Sequence, residues 1–194
     1  GFERRLQDVL EYYKRYFSAM QTLGATVFVL HGNKGPIQAE LYAERFAMLA
    51  ELGKTFGVVV AQENVARCTS RSLDFLLQMQ KLLGNDAKFV LDIKQAVRSN
   101  ENPMQMLQKL GSHIVHVHLS DHGEYGDCLP VGKGRFDVRT FLQTLSTCSP
   151  DCSVILELYR SSFNNVQDLV NNYLVIQHML APGSANKTDS IPIR

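Results

Sequence analysis

The sequence has no CxxC pair and no excess of either charge, and each absence removes a class of function. Its four cysteines, Cys68, Cys128, Cys148 and Cys152, are scattered, and the last two flank a Ser-Pro-Asp turn. They read as reduced thiols, not as a zinc knuckle or a disulfide framework. Twenty Lys and Arg stand against nineteen Asp and Glu among 194 residues, a formal charge of +1. That balance offers no broad basic face to nucleic acid or to an anionic membrane, and it points to a small or locally read partner. Long apolar runs are also missing: residues 58–61 and 89–91 fall far below the ~20 residues of a membrane helix. The N-terminus lacks the basic-then-apolar layout of a secretory signal and opens on Gly1, so the expected location is the cytoplasm and Gly1 suggests processing or a boundary.

What is present is a 45% apolar chain, enough to bury a core, with two hydrophobic periods in alternation. Leu6, Val9, Leu10, Tyr13, Phe17 and Met20 recur at three and four, which predicts a helix over 3–23. A β-branched run at 26–30 follows, closed by a loop containing Gly32, Gly35 and Pro36. The cycle repeats with helices predicted at 38–53, 70–83, 103–110, 138–146 and 164–180. Strands are predicted at 58–62, 89–91, 114–119 and 153–156, with a long loop over 120–136. Continuous apolar strands separated by helices predict a parallel sheet covered on both faces, hence an α/β fold. The expected organisation is one domain over 1–180 and a non-periodic, flexible tail over 181–194. A closed (β/α) barrel needs eight strands and typically ~250 residues, so five strands predict an incomplete TIM barrel lacking N-terminal strands. An open doubly wound sheet is the competing arrangement, since five strands suffice for it.

Strand-end chemistry bears on that choice. Each predicted strand runs into a polar, metal-competent residue: TVFVL into His31, VVVAQ into Glu63, FVL into Asp92, IVHV into His118 and SVIL into Glu157. Consecutive members lie 26 to 39 residues apart, yet parallel strands carry their C-terminal ends to one rim. Three carboxylates gathered there would repel, and a cation relieves that repulsion. A mixed carboxylate and imidazole set suits one divalent ion, with manganese favoured and magnesium, cobalt or zinc as alternatives. Taken singly, each acid has a plainer reading as a loop start or helix cap.

The ordered segments VLHGN, VVVAQENV, FVLDIKQA, IVHVHLSDH, LPVGKGRFD and VILELY resemble the strand-end motifs of the xylose isomerase-like TIM barrel superfamily, over residues 26–159. The resemblance implies a sugar or sugar-phosphate isomerase/epimerase in which Glu63, Asp92, His118 and Glu157 bind one metal ion. It implies that Glu63 and Glu157 are also the catalytic acid/base pair, abstracting a proton alpha to a carbonyl to give a metal-stabilised enediolate. The same resemblance makes Gly132, Lys133 and Gly134 a substrate-side loop, with His31 and Gln95 as further substrate contacts.

One position departs from the family pattern: Gln95 stands where a histidine usually follows the Asp92-like acid by three residues. Glutamine can hydrogen-bond a hydroxyl but cannot shuttle a proton. The alternatives are therefore a metal-dependent phosphodiesterase of the apurinic-endonuclease branch, or a sugar-binding relative without turnover. The stretch 126–130 reads GDCLP, an incomplete set against the further His and Asp ligands of the endonuclease cluster. His31 reads equally as a mouth residue or as part of the HGNKG turn. His116 shares a strand face with His118 and reads as a barrel-interior group, whereas His113 should face helices or solvent. Asp121 and His122 read as substrate contacts or solvated loop residues. Arg67 and Arg98 are phosphate clamps or, more simply, surface arginines. An uncovered sheet edge also predicts self-association into a homo-oligomer.

Overall fold

The structure, a computed structural model, describes residues 2–181, with side chains from residue 5 onward. The expected tail lies outside the described residues apart from Ala181. The chain alternates helix and strand: α1 (Phe2–Leu23), β1 (Val27–Leu30), α2 (Ala39–Thr55), β2 (Val59–Glu63), α3 (Leu73–Leu83) and β3 (Phe89–Asp92). It continues through α4 (Ile93–Arg98), α5 (Pro103–Leu110), β4 (Ile114–Leu119), β5 (Asp121–Gly123), β6 (Gly126–Leu129), α6 (Val138–Cys148), β7 (Ser153–Leu156) and α7 (Val166–Leu180).

Five strands form one parallel sheet in the order β1-β2-β3-β4-β7, so successive βα units lie side by side as in a barrel wall. Every residue of β3 is buried, as a central parallel strand covered on both faces requires. Leu76 and Met79 of α3, Met106 and Leu107 of α5, and Phe141 of α6 are fully buried in the same core. On the β1 side, Phe17 of α1 meets Phe28 edge-on at 5.3 Å between ring centroids. That geometry matches the aromatic quadrupole, positive edge to negative face. The outer strand β7 leaves Val154 and Ile155 exposed at one end of the sheet.

Two elements differ from the sequence reading. Helix α4 starts directly after Asp92, whose side chain caps it by accepting from the Gln95 amide at 2.9 Å. Six residues are too few to show a helical period, so this helix was invisible in the pattern. The segment expected as a continuous loop over 120–136 contains the antiparallel pair β5 and β6. Those strands are three and four residues long and lack apolar alternation.

Gly53 in α2 faces β2 so closely that an added Cβ would lie 2.8 Å from the Val58 carbonyl and 2.9 Å from Val60 Cγ2. Helix propensity alone would favour Gly53→Ala by about 0.5–1 kcal/mol. Overpacking against fixed backbone costs about 1–3 kcal/mol and outweighs it. The expected outcome is a lower urea midpoint for Gly53→Ala at unchanged m-value. A midpoint at or above wild type would refute this packing.

Candidate metal centre

Glu63 ends β2, Asp92 ends β3, His118 is the penultimate residue of β4, and Glu157 follows β7. Asp92 and His118 are direct register partners, and the Glu157 amide donates to the Leu119 carbonyl at 3.0 Å. One ligand atom from each of the four side chains lies within 4.8 Å of the others. The four residues named from strand ends therefore converge, as parallel topology demands.

Their electrostatics are those of a cation site. His118 Nδ1 stands 2.5 Å from Glu157 Oε2, 3.3 Å from Glu63 Oε1 and 3.6 Å from Asp92 Oδ2. None of these approaches has hydrogen-bond geometry, and His118 Nδ1, Glu63 Oε2 and Asp92 Oδ2 are buried without a hydrogen-bond partner. Buried polar atoms are almost always partnered in folded proteins. Unpartnered atoms on three of the four converging side chains, two oxygens and one imidazole nitrogen, fit a divalent ion with carboxylate and histidine ligands.

Neighbouring side chains hold these ligands in place. Asn64, buried next to Glu63, uses its amide as an extra strand residue: its Nδ2 donates to the Asp92 carbonyl at 3.0 Å and its Oδ1 accepts from the Asp92 amide at 2.7 Å. Gln62 ties the end of β1 to β2 by donating to the Leu30 and His31 carbonyls, and it accepts from the Tyr42 hydroxyl. The Ser70 hydroxyl closes on the Glu63 carbonyl at 2.7 Å. Lys94 is the largest addition to the site. Its ammonium meets Glu157 Oε1 at 2.7 Å and Asp92 Oδ2 at 3.4 Å, with only 3% of its side chain exposed.

The remaining candidates are placed as follows. His31, 61% exposed, sits at the mouth with Nε2 3.1 Å from Glu63 Oε2. His116 bonds Ser153 Oγ at 2.6 Å, and its ring meets His118 edge-on at 5.2 Å. His113 bonds the Ala87 carbonyl at 2.9 Å, away from the site. Gln95 Oε1 accepts from the Ala66 amide at 3.0 Å, so this side chain braces the loop after β2. Gly132 and Gly134 donate their amides to Asp121 Oδ2 at 2.9 and 3.0 Å, while Oδ1 accepts from His122 and Phe136. Asp121 is thus neither a solvated loop residue nor a free contact: it is the buried anchor of the glycine loop. A Cβ on Gly134 would come within 2.3 Å of Asp121 Oδ1. Lys133, between those glycines, is exposed and donates its amide to the Pro130 carbonyl at 3.0 Å. Arg67 is exposed, and Arg98 forms a two-pronged pair with Asp127 and donates to the Tyr159 hydroxyl. The four cysteines are free thiols.

The sequence pattern of the xylose isomerase-like TIM barrel family matches residues 2–176. The chain belongs to that family. An uncharacterized protein of Mycobacterium leprae is 26% identical over 185 residues, covering 80% of this chain. The chain spans 64% of the length of that relative. Among solved structures, a D-tagatose 3-epimerase-like protein superposes with a TM-score of 0.73 at 21% identity, over 92% of this chain and 70% of that one. The IOLI protein, solved with a bound zinc atom, gives 0.72 at 15% identity, over 93% and 73%. At these identities the likeness establishes the fold: five parallel strands of an incomplete TIM barrel with its helices. No helix among the described residues is long and apolar enough to cross a membrane.

Metal-free, the cluster holds its own charges. Burial works against the His118 imidazolium, but contact with Asp92, Glu157 and Glu63 outweighs it and pushes the pKa up to about 11. His118 holds Glu157 down to about 2 against the pull of burial, and Lys94 adds to that effect. The raised imidazole contributes stability in full below its ordinary value of 6.5 and loses it as pH rises through about 11. The depressed carboxyl contributes above its ordinary 4.5 and loses this as pH falls toward 2. A ligating imidazole must be neutral, so ion uptake near pH 7.5 should expel about one proton per site. Calorimetric enthalpies of manganese binding should then vary linearly with buffer ionisation enthalpy, with a slope near one. A slope near zero would show that His118 is not displaced from its charged state.

Proposed function

We propose that this chain carries the catalytic face of an isomerase or epimerase that moves a proton at the carbon next to the carbonyl of a small sugar. The observation that carries the reading is the meeting of Glu63, Asp92, His118 and Glu157 ligand atoms within 4.8 Å at four parallel strand ends. These four residues hold one divalent ion, with manganese favoured by the mixed oxygen and imidazole set. When bound, the ion acts as a Lewis acid that polarises the sugar carbonyl and makes the adjacent C–H bond acidic.

The chain's own groups do the rest. Glu63 and Glu157 divide the proton transfer, one carboxylate taking the proton alpha to the carbonyl and the other group returning it. Glu63 is buried in the wall of the site, which fixes its geometry for proton transfer. His31, exposed beside Glu63 Oε2, is placed to donate to a sugar hydroxyl at the mouth. The amides of Gly132 and Gly134 are engaged by Asp121, which supports a hydroxyl-bearing substrate over a phosphate cradled by that loop. Lys133, between those glycines, is left to reach a substrate oxygen.

Solvent exchange is the test. Manganese-loaded protein incubated with a panel of ketoses and aldoses in deuterium oxide should place deuterium alpha to the carbonyl of at least one sugar. Glu63→Gln and Glu157→Gln should each slow that exchange by roughly 10²–10⁴-fold, the scale of a lost general acid or base. Protein that loads metal but exchanges no sugar would be a binder, not an enolising enzyme.

A further inference from the structure

Lys94 is a charged side chain that proton transfer alone does not require, yet it is buried at the centre of the site. A lysine in the first turn of a helix is electrostatically out of place, because the helix dipole presents its positive end there. Here the position is held by tertiary contacts instead. Its ammonium donates to Glu157 Oε1 at 2.7 Å, pairs in charge with Asp92 Oδ2 at 3.4 Å and lies over the face of the Tyr159 ring at 5.0 Å from the centroid. Tyr159 is itself fixed from the other direction by Arg98, whose guanidinium lies 5.4 Å from the ring centroid and pairs with Asp127.

We propose that Lys94 is the second cation of this centre, a built-in positive charge that bridges Asp92 and Glu157 and limits the site to a single divalent ion. The proposal rests on the metal-centre reading above. Its basis is charge and place together. Glu63, Asp92 and Glu157 bring three negative charges, and one divalent ion beside a neutral His118 leaves one of them uncompensated. Lys94 supplies the missing charge. It does so from a position that spans two ligand carboxylates, the position a second ion would need in order to share them. A compact ammonium on a flexible stem suits that point-like role, whereas a neutral residue there would leave buried carboxylate charge without compensation.

Manganese titration of chelator-treated protein, followed by electron paramagnetic resonance, tests this. Wild type and Lys94→Arg should each bind one ion per chain. Lys94→Ala and Lys94→Gln should each bind two, and the second ion should broaden the spectrum through exchange coupling, which a merely structural change would not produce. Using both neutral variants guards against one of them failing to fold. Two ions in wild type, or a single ion at wild-type affinity in both neutral variants, would overturn the role of Lys94 while leaving the metal centre intact. No ion in wild type would overturn both.

Discussion

Mutual repulsion among three carboxylates is the constraint around which the rim of the sheet is organised. Glu63, Asp92 and Glu157 reach a common point because four parallel strands end there, and negative charge taken out of water is unfavourable unless positive charge accompanies it. The chain supplies His118 and Lys94 among the acids. Even so, Glu63 Oε2 and Asp92 Oδ2 keep no hydrogen bond. Carboxylate oxygens buried without a hydrogen-bond donor suit a guest cation more than the fold's own stability.

The rim is also stiff. Gln62 and Asn64, the neighbours of Glu63, spend their side chains on backbone groups of the adjoining strands, so they prolong the sheet beyond its last main-chain bonds. Asp121 does the same for the glycine loop, gathering four amides on one buried carboxylate. These bonds fix the backbone from which Glu63 and Asp92 project.

Much of this was legible in the sequence, for reasons that can be located. Strands such as FVLD and IVHVHL are apolar without alternation because both faces are covered, and the polar residue ending each one marks the rim. Period and punctuation therefore revealed the α/β order and the four converging side chains together. Lys94 escaped because nothing in DIKQA distinguishes a buried lysine from a solvated one; burial comes from Tyr159, sixty-five positions away. Asn64 escaped because an amide that imitates a strand has no sequence period. Asp121 escaped because nothing in LSDHG distinguishes a buried carboxylate that accepts the Gly132 and Gly134 amides from a solvated one.

Membership in the xylose isomerase-like TIM barrel family gives these residues a setting, while the chemistry argued here depends on the ion. Anomalous diffraction from crystals soaked in manganese addresses that dependence most directly. A single strong peak in contact with Glu63, Asp92, His118 and Glu157 is the expected result; a map with no peak among those four side chains, or with its peak elsewhere, would contradict the metal centre.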